Sequence, residues 1–145
     1  MKLPEYVTGQ EVKRVCRELK IRDWTTLKKP VVTLKEAKII LKKVNSENMK
    51  IGLEDFRMGL EVELEHGTRF RDANVTNNHP ILTGRIVLAH LKESLDYYVR
   101  LEVAEIEGDL LKAVAGRKPQ KAVAYLKKLA RAKLALSAAE AKQLK

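Results

Sequence analysis

The chain has 145 residues, 33% of them charged, and a formal net charge of +10 at pH 7. That length suits one domain with a single core; no apolar run approaches the ~20 residues of a bilayer-spanning helix, and residues 1–5 lack the apolar stretch of a signal peptide. These features point away from a membrane partner and lead us to expect a cytoplasmic protein, in which the Asn74-Val75-Thr76 glycosylation sequon goes unused.

Helix signals dominate. Thr8-Gly9-Gln10-Glu11 has capping-box spacing and opens a first helix with Val12, Val15, Cys16 and Leu19 on one face. The single cysteine, Cys16, sits among these apolar residues as a small core hydrophobe and has no histidine near it in sequence. Asp23-Trp24-Thr25-Thr26 reads as a turn whose aromatic closes the end of the bundle. Thr33-Leu34-Lys35-Glu36 repeats the capping box and starts a second helix with Ala37, Ile40, Leu41 and Val44 inward.

A third helix starts at Gly52, with Glu54 and Asp55 at its positive end, Leu53, Phe56, Leu60 and Leu64 as its apolar stripe, and Gly67 as its stop. Glu61 reads as part of a solvated face with Arg57, and Glu65 lies on that face too. Residues 68–79, rich in Asn, Asp and Thr, read as a loop. Pro80 suits the first turn of a long fourth helix running to about Gly108, with His79 at its start and a short helix over residues 109–115 after it.

Composition then shifts. Residues 117–145 carry nine Lys/Arg and one Glu, a net +8, while residues 1–116 carry 20 basic and 18 acidic side chains, a net +2. The expected organisation is therefore an all-α domain over residues 1–116, a compact bundle of four main helices, followed by a basic Ala/Leu/Lys-rich C-terminal helix or tail over residues 117–145. In that segment Ala122, Leu126, Leu129 and Leu136 fall near one helical face.

Two stretches carry the candidate chemistry. Glu63 and His66 are three residues apart on the third helix, and His90 and Glu93 are three apart on the fourth; such pairs share a helical face. Two imidazoles and two carboxylates suit one divalent metal ion, Zn, Mn or Fe, with Tyr97 and Arg100 supporting them one or two turns on. The competing reading is a buried or half-buried ion-pair network with no ligand. Carboxylate-bridged di-metal bundles need a second Glu-x-x-His and further glutamates, and this chain has one Glu-x-x-His and one inverted His-x-x-Glu, so a mononuclear site is the limit. A hydrolytic metalloenzyme is a further alternative, without a Gly-rich phosphate loop or nucleophile motif behind it. A different class of function rests on the tail: Arg117, Lys118, Lys121, Lys127, Lys128, Arg131 and Lys133 make a local positive potential suited to nucleic acid or an acidic protein.

The run Phe56-Arg57-Met58-Gly59-Leu60-Glu61-Val62-Glu63-Leu64-Glu65-His66-Gly67, followed by Asn74-Val75-Thr76, Thr83-Gly84-Arg85-Ile86, Ala89-His90-Leu91-Lys92-Glu93 and Asp96-Tyr97-Tyr98-Val99-Arg100-Leu101, resembles an uncharacterised small helical domain family of bacteria and their phages. The resemblance covers roughly residues 51–107. It implies an α-helical domain and no particular catalytic residues. Two positions depart from the family pattern: His79 stands where an acidic residue is frequent, and Leu95 where a proline is frequent.

Overall fold

The computed structural model describes residues 7–144; the reading of residues 1–5 lies outside them. No strand occurs among the described residues. The elements in chain order are α1 (Gly9–Glu18), a 3₁₀ turn (Trp24–Thr26), α2 (Leu34–Val44), α3 (Leu53–Arg69), a second 3₁₀ turn (Arg71–Ala73), α4 (Pro80–Glu93), α5 (Tyr97–Ala115) and α6 (Pro119–Gln143). None of these helices is long and apolar enough to cross a membrane.

Among the described residues there are six helices, where four main helices and a basic C-terminal helix or tail were expected. The long fourth helix is interrupted at residues 94–96, with no proline or glycine to announce the break. Asp96, only 2% exposed, accepts from the Ser94 hydroxyl on one side and from the Arg100 guanidinium at 2.8 and 2.9 Å on the other. Its side chain thus offers local partners in place of continued backbone pairing. The short helix expected over residues 109–115 is the last part of α5. The chain divides into two compact units, Met1–Glu93 and Ser94–Lys145, and the compositional boundary at residue 117 coincides with the turn between α5 and α6 inside the second.

In the first unit α2 packs on α3 and α4, α3 packs on α4, and α1 rests on the Trp24 turn and α4. Of the two capping boxes read from sequence, the one at Thr33 is complete and the one at Thr8 is half-formed, because Arg14 holds the Glu11 carboxylate. The Thr8 hydroxyl accepts from Glu11 N–H, and Thr33 and Glu36 complete a reciprocal box. Trp24 is fully buried and its backbone N–H points at the Cys16 sulfur, 3.5 Å away. Burial raises the pKa of that thiol, which keeps it protonated and suits a core hydrophobe.

Gly67 is not a helix stop. It is buried inside α3, and a Cβ there would stand 2.1 Å from Asn78 Oδ1 and 2.7 Å from Asn74 Nδ2. Its missing side chain lets the loop lie down on the helix, and α3 continues to Arg69. His79 begins α4 as expected: its Nδ1 accepts from the N–H groups of Ile81 and Leu82, at 3.2 and 3.3 Å, satisfying donors that a helix start leaves open.

The second unit is an αα-hairpin. Val103 on α5 packs with Leu129 and Ala132 on α6, flanked by Ile106, Leu110 and Leu136. Arg100 pairs with Glu140 at 2.8 Å and Glu107 with Lys133 at 2.9 Å, both across the two helices. α6 is thus docked through Leu129 and Leu136, whereas Leu126 is 53% exposed.

Candidate functional site

The amphipathic register of α3 turns Leu60 and Leu64 into the core and leaves Glu63 at its edge, with a side chain 13% exposed. From α4, His90 Nε2 approaches Glu63 Oε1 at 3.6 Å. From its own helix, His66 Nδ1 stands 3.9 Å from Glu63 Oε2. His90 Nδ1 in turn lies 3.8 Å from Glu93 Oε2. The four residues singled out from sequence are therefore brought together, as a row running His66, Glu63, His90, Glu93.

A row differs from a cage. The contacts are longer than the ~2.7–3.2 Å of a good hydrogen bond, and the two nitrogens of His90 face two different carboxylates. Among the described residues no three His, Cys, Asp or Glu groups are arranged to hold a metal ion. Glu63 and His90, the latter 29% exposed, form the sheltered middle; His66 and Glu93, at 63% and 71%, are the exposed ends. Tyr97 and Arg100, expected to support the row, belong to the second unit. There Arg100 holds Asp96 and Glu140, and Tyr97 stands edge-on to Tyr98 with ring centroids 5.1 Å apart.

Glu63 and His66 open on a cleft of about 220 Å³ whose other walls include Phe70, Val75, Thr83 and Ile86. A carboxylate and an imidazole beside an apolar wall can hold a small ligand, but the volume is below the ~300–1,000 Å³ of organic-molecule sites and suits an ion with its water. Phe70 and Val75 come from the segment read as a loop, and only its fold back over Gly67 brings them to the helix face.

Two other polar groups carry more than their sequence context suggests. Glu61, beyond pairing with Arg57 at 2.8 Å, accepts the Val32 N–H at 2.9 Å and so ties the approach to α2 onto α3. Glu36, beyond its capping role, is buried and receives the Arg22 guanidinium and the Trp24 indole N–H. Neither partnership leaves a local spacing signal, because the partners lie 12 to 29 residues away.

A family model described as "Protein of unknown function (DUF5661)" matches residues 12–107. No curated protein and no solved structure matches the chain.

Proposed function

We propose that this member of the DUF5661 family, to which the chain belongs through residues 12–107, is a small helical binding module whose site is the His66–Glu63–His90–Glu93 row and its adjoining cleft. The observation behind this reading is the position of Glu63, a sheltered carboxylate with an imidazole on either side at 3.6 and 3.9 Å. With both imidazoles neutral, the two carboxylates make the row a site for a cation. Its N and O donors suit one Zn, Mn or Fe ion, held by Glu63 and His90 and completed by His66 and water. A hydrolytic role has no comparable support, because no nucleophile or third fixed ligand accompanies the pair among the described residues.

The test is titration of chelator-stripped protein with Zn, Mn and Fe(II), followed by calorimetry and elemental analysis. One equivalent should bind to the natural chain, raise its melting temperature by linkage, and be lost in both Glu63→Gln and His90→Ala. Absence of binding, or undiminished binding in those variants, rejects the site.

A second reading, nucleic-acid or acidic-protein association through α6, draws support from one observation. Arg117, Lys118, Lys121, Lys127 and Arg131 are exposed and make no ion pair among the described residues. Lys128 lies over the Tyr125 ring at 5.6 Å, and Lys133 is committed to Glu107. Replacing the five uncommitted cations by Gln should abolish any duplex-DNA binding that falls with salt; unchanged binding, or none in the natural chain, removes this reading.

A further inference from the structure

On another part of the first unit, the start of α1, the Trp24 turn and the segment folded over Gly67 enclose a cleft of about 510 Å³. We propose that this cleft binds a small molecule carrying a phosphate group. Four features of the cleft lead there, and none depends on the His/Glu row.

The first is charge. Lys28 and Arg71 line the cleft, and among the described residues no Asp or Glu does. Both cations are exposed, and neither makes an ion pair or side-chain hydrogen bond among the described residues. The neighbouring Arg14, Arg57 and Arg69 are all held by glutamates. An uncommitted Arg and Lys on one polar cleft match a doubly charged oxyanion, to which guanidinium gives two parallel hydrogen bonds.

The second is an available donor. Asn78 is 8% exposed and lines the same cleft. Its Oδ1 accepts from Asn74 Nδ2 at 3.1 Å, which fixes the amide's orientation. The Nδ2 at the other end has no hydrogen-bond partner among the described residues. That nitrogen is reached from the cleft and is not among the fully buried polar atoms left without a partner, so it is a donor a ligand oxygen there would accept from.

The third is the helix start. Gly9, first residue of α1, stands at the rim, and no atom lies within 4 Å of where its Cβ would be. The Thr8 hydroxyl takes the Glu11 N–H, while the N–H groups of Gly9 and Gln10 have no acceptor within the helix, and the dipole there favours an anion. The fourth is size. The volume falls within the ~300–1,000 Å³ of small-molecule sites, which leaves room for an organic body beyond the phosphate. The Thr25 and Thr68 hydroxyls are already bound to Asp23 and to the Leu64 carbonyl. Recognition therefore falls to the amide, the two cations and the helix N–H groups.

The proposal is tested on the full chain by following amide and side-chain NMR shifts on titration with inorganic phosphate and with ribose 5-phosphate, against chloride at equal ionic strength. Saturable shifts should centre on Lys28, Arg71 and Asn78, and Lys28→Ala/Arg71→Ala should bind at least tenfold more weakly with its spectrum otherwise unchanged. Asn78→Ser should weaken binding while Lys127→Ala, on α6, should not. Tighter binding of the sugar phosphate assigns the ligand to organic esters, and equal binding assigns it to free phosphate. Shifts that do not saturate, shifts confined to the lysines of α6, or full affinity in the double variant would overturn it.

Discussion

The Arg22 guanidinium grips the Glu36 carboxylate through two nitrogens, at 2.6 and 2.9 Å, and Glu36 is only 4% exposed. Burial by itself would raise the pKa of this carboxyl. The hydrogen bonds from Arg22, from the Thr33 N–H and hydroxyl and from the Trp24 indole outweigh that effect and hold it at about 2, below the ordinary 4.5. Because the unfolded chain takes up the proton first as pH falls, the stabilisation is complete above about 4.5 and is lost from there down through about 2. The gap is worth on the order of 3 kcal/mol. Arg22→Ala should cost about 3 kcal/mol at neutral pH, by stranding a buried charge, and should flatten the acid limb. Urea unfolding followed by Trp24 fluorescence across pH 2–6 checks both.

His79 gives a second, milder pH limb. Its buried imidazole has a pKa below 6.5 through desolvation, with Glu11 pulling weakly the other way, and the neutral Nδ1 is the acceptor that caps α4. The stabilisation is fully present above 6.5 and is lost as pH falls from there through the lower folded value. His79→Ala should cost about 1 kcal/mol at pH 7.5, as a lost cap does, and should remove the limb. His79→Asn, which restores an acceptor, should recover most of the stability without the limb. Melting temperatures between pH 5 and 8 distinguish the three chains.

Gly84 marks the closest approach of α4 to the core. A Cβ there would stand 2.6 Å from Ile40 Cγ2 and 3.3 Å from Val44 Cγ1, with the Phe56 ring at 3.5 Å. Gly84→Ala should therefore lose about 1–3 kcal/mol through overpacking. Gly9→Ala meets open space and should be neutral or slightly stabilising, since alanine loses less backbone entropy in a helix. Denaturant midpoints of the two variants should move in opposite directions or differ by at least that margin.

In the hairpin, Leu129→Ala should lower stability by about 2–3 kcal/mol, because the side chain is 9% exposed at the centre of a small cluster. Leu134→Ala, at 73% exposure, should stay within about 0.5 kcal/mol. Thermal unfolding by circular dichroism reads both.

What could be read from the sequence was whatever short-range chemistry controls. Thr8 and Thr33 announce their helices because a hydroxyl three residues before an acid caps locally, and α1 and α2 follow from that; the start of α3 is announced instead by Gly52 and the first-turn acids Glu54 and Asp55. The pairing of Glu63 with His66 is likewise a matter of one helical turn. The break at residues 94–96 depends on a buried aspartate choosing side-chain partners, for which no punctuating residue is needed. Gly67 carries the same letter whether it ends a helix or admits a loop onto one. The cleft beside it collects Lys28, Arg71 and Asn78 from separate stretches of chain, and only folding makes them neighbours.

The two ion pairs of the hairpin have one more consequence. The seven-residue separation of Arg100 and Glu107 matches that of Lys133 and Glu140, so two helical turns on one helix are measured against two on the other. Such a gauge reads length as well as charge. Deleting one residue from the α5–α6 turn would advance α6 by about 100°, breaking both pairs together and putting Ala130 in the place of Leu129. The turn length, more than its composition, is what this part of the chain is not free to vary.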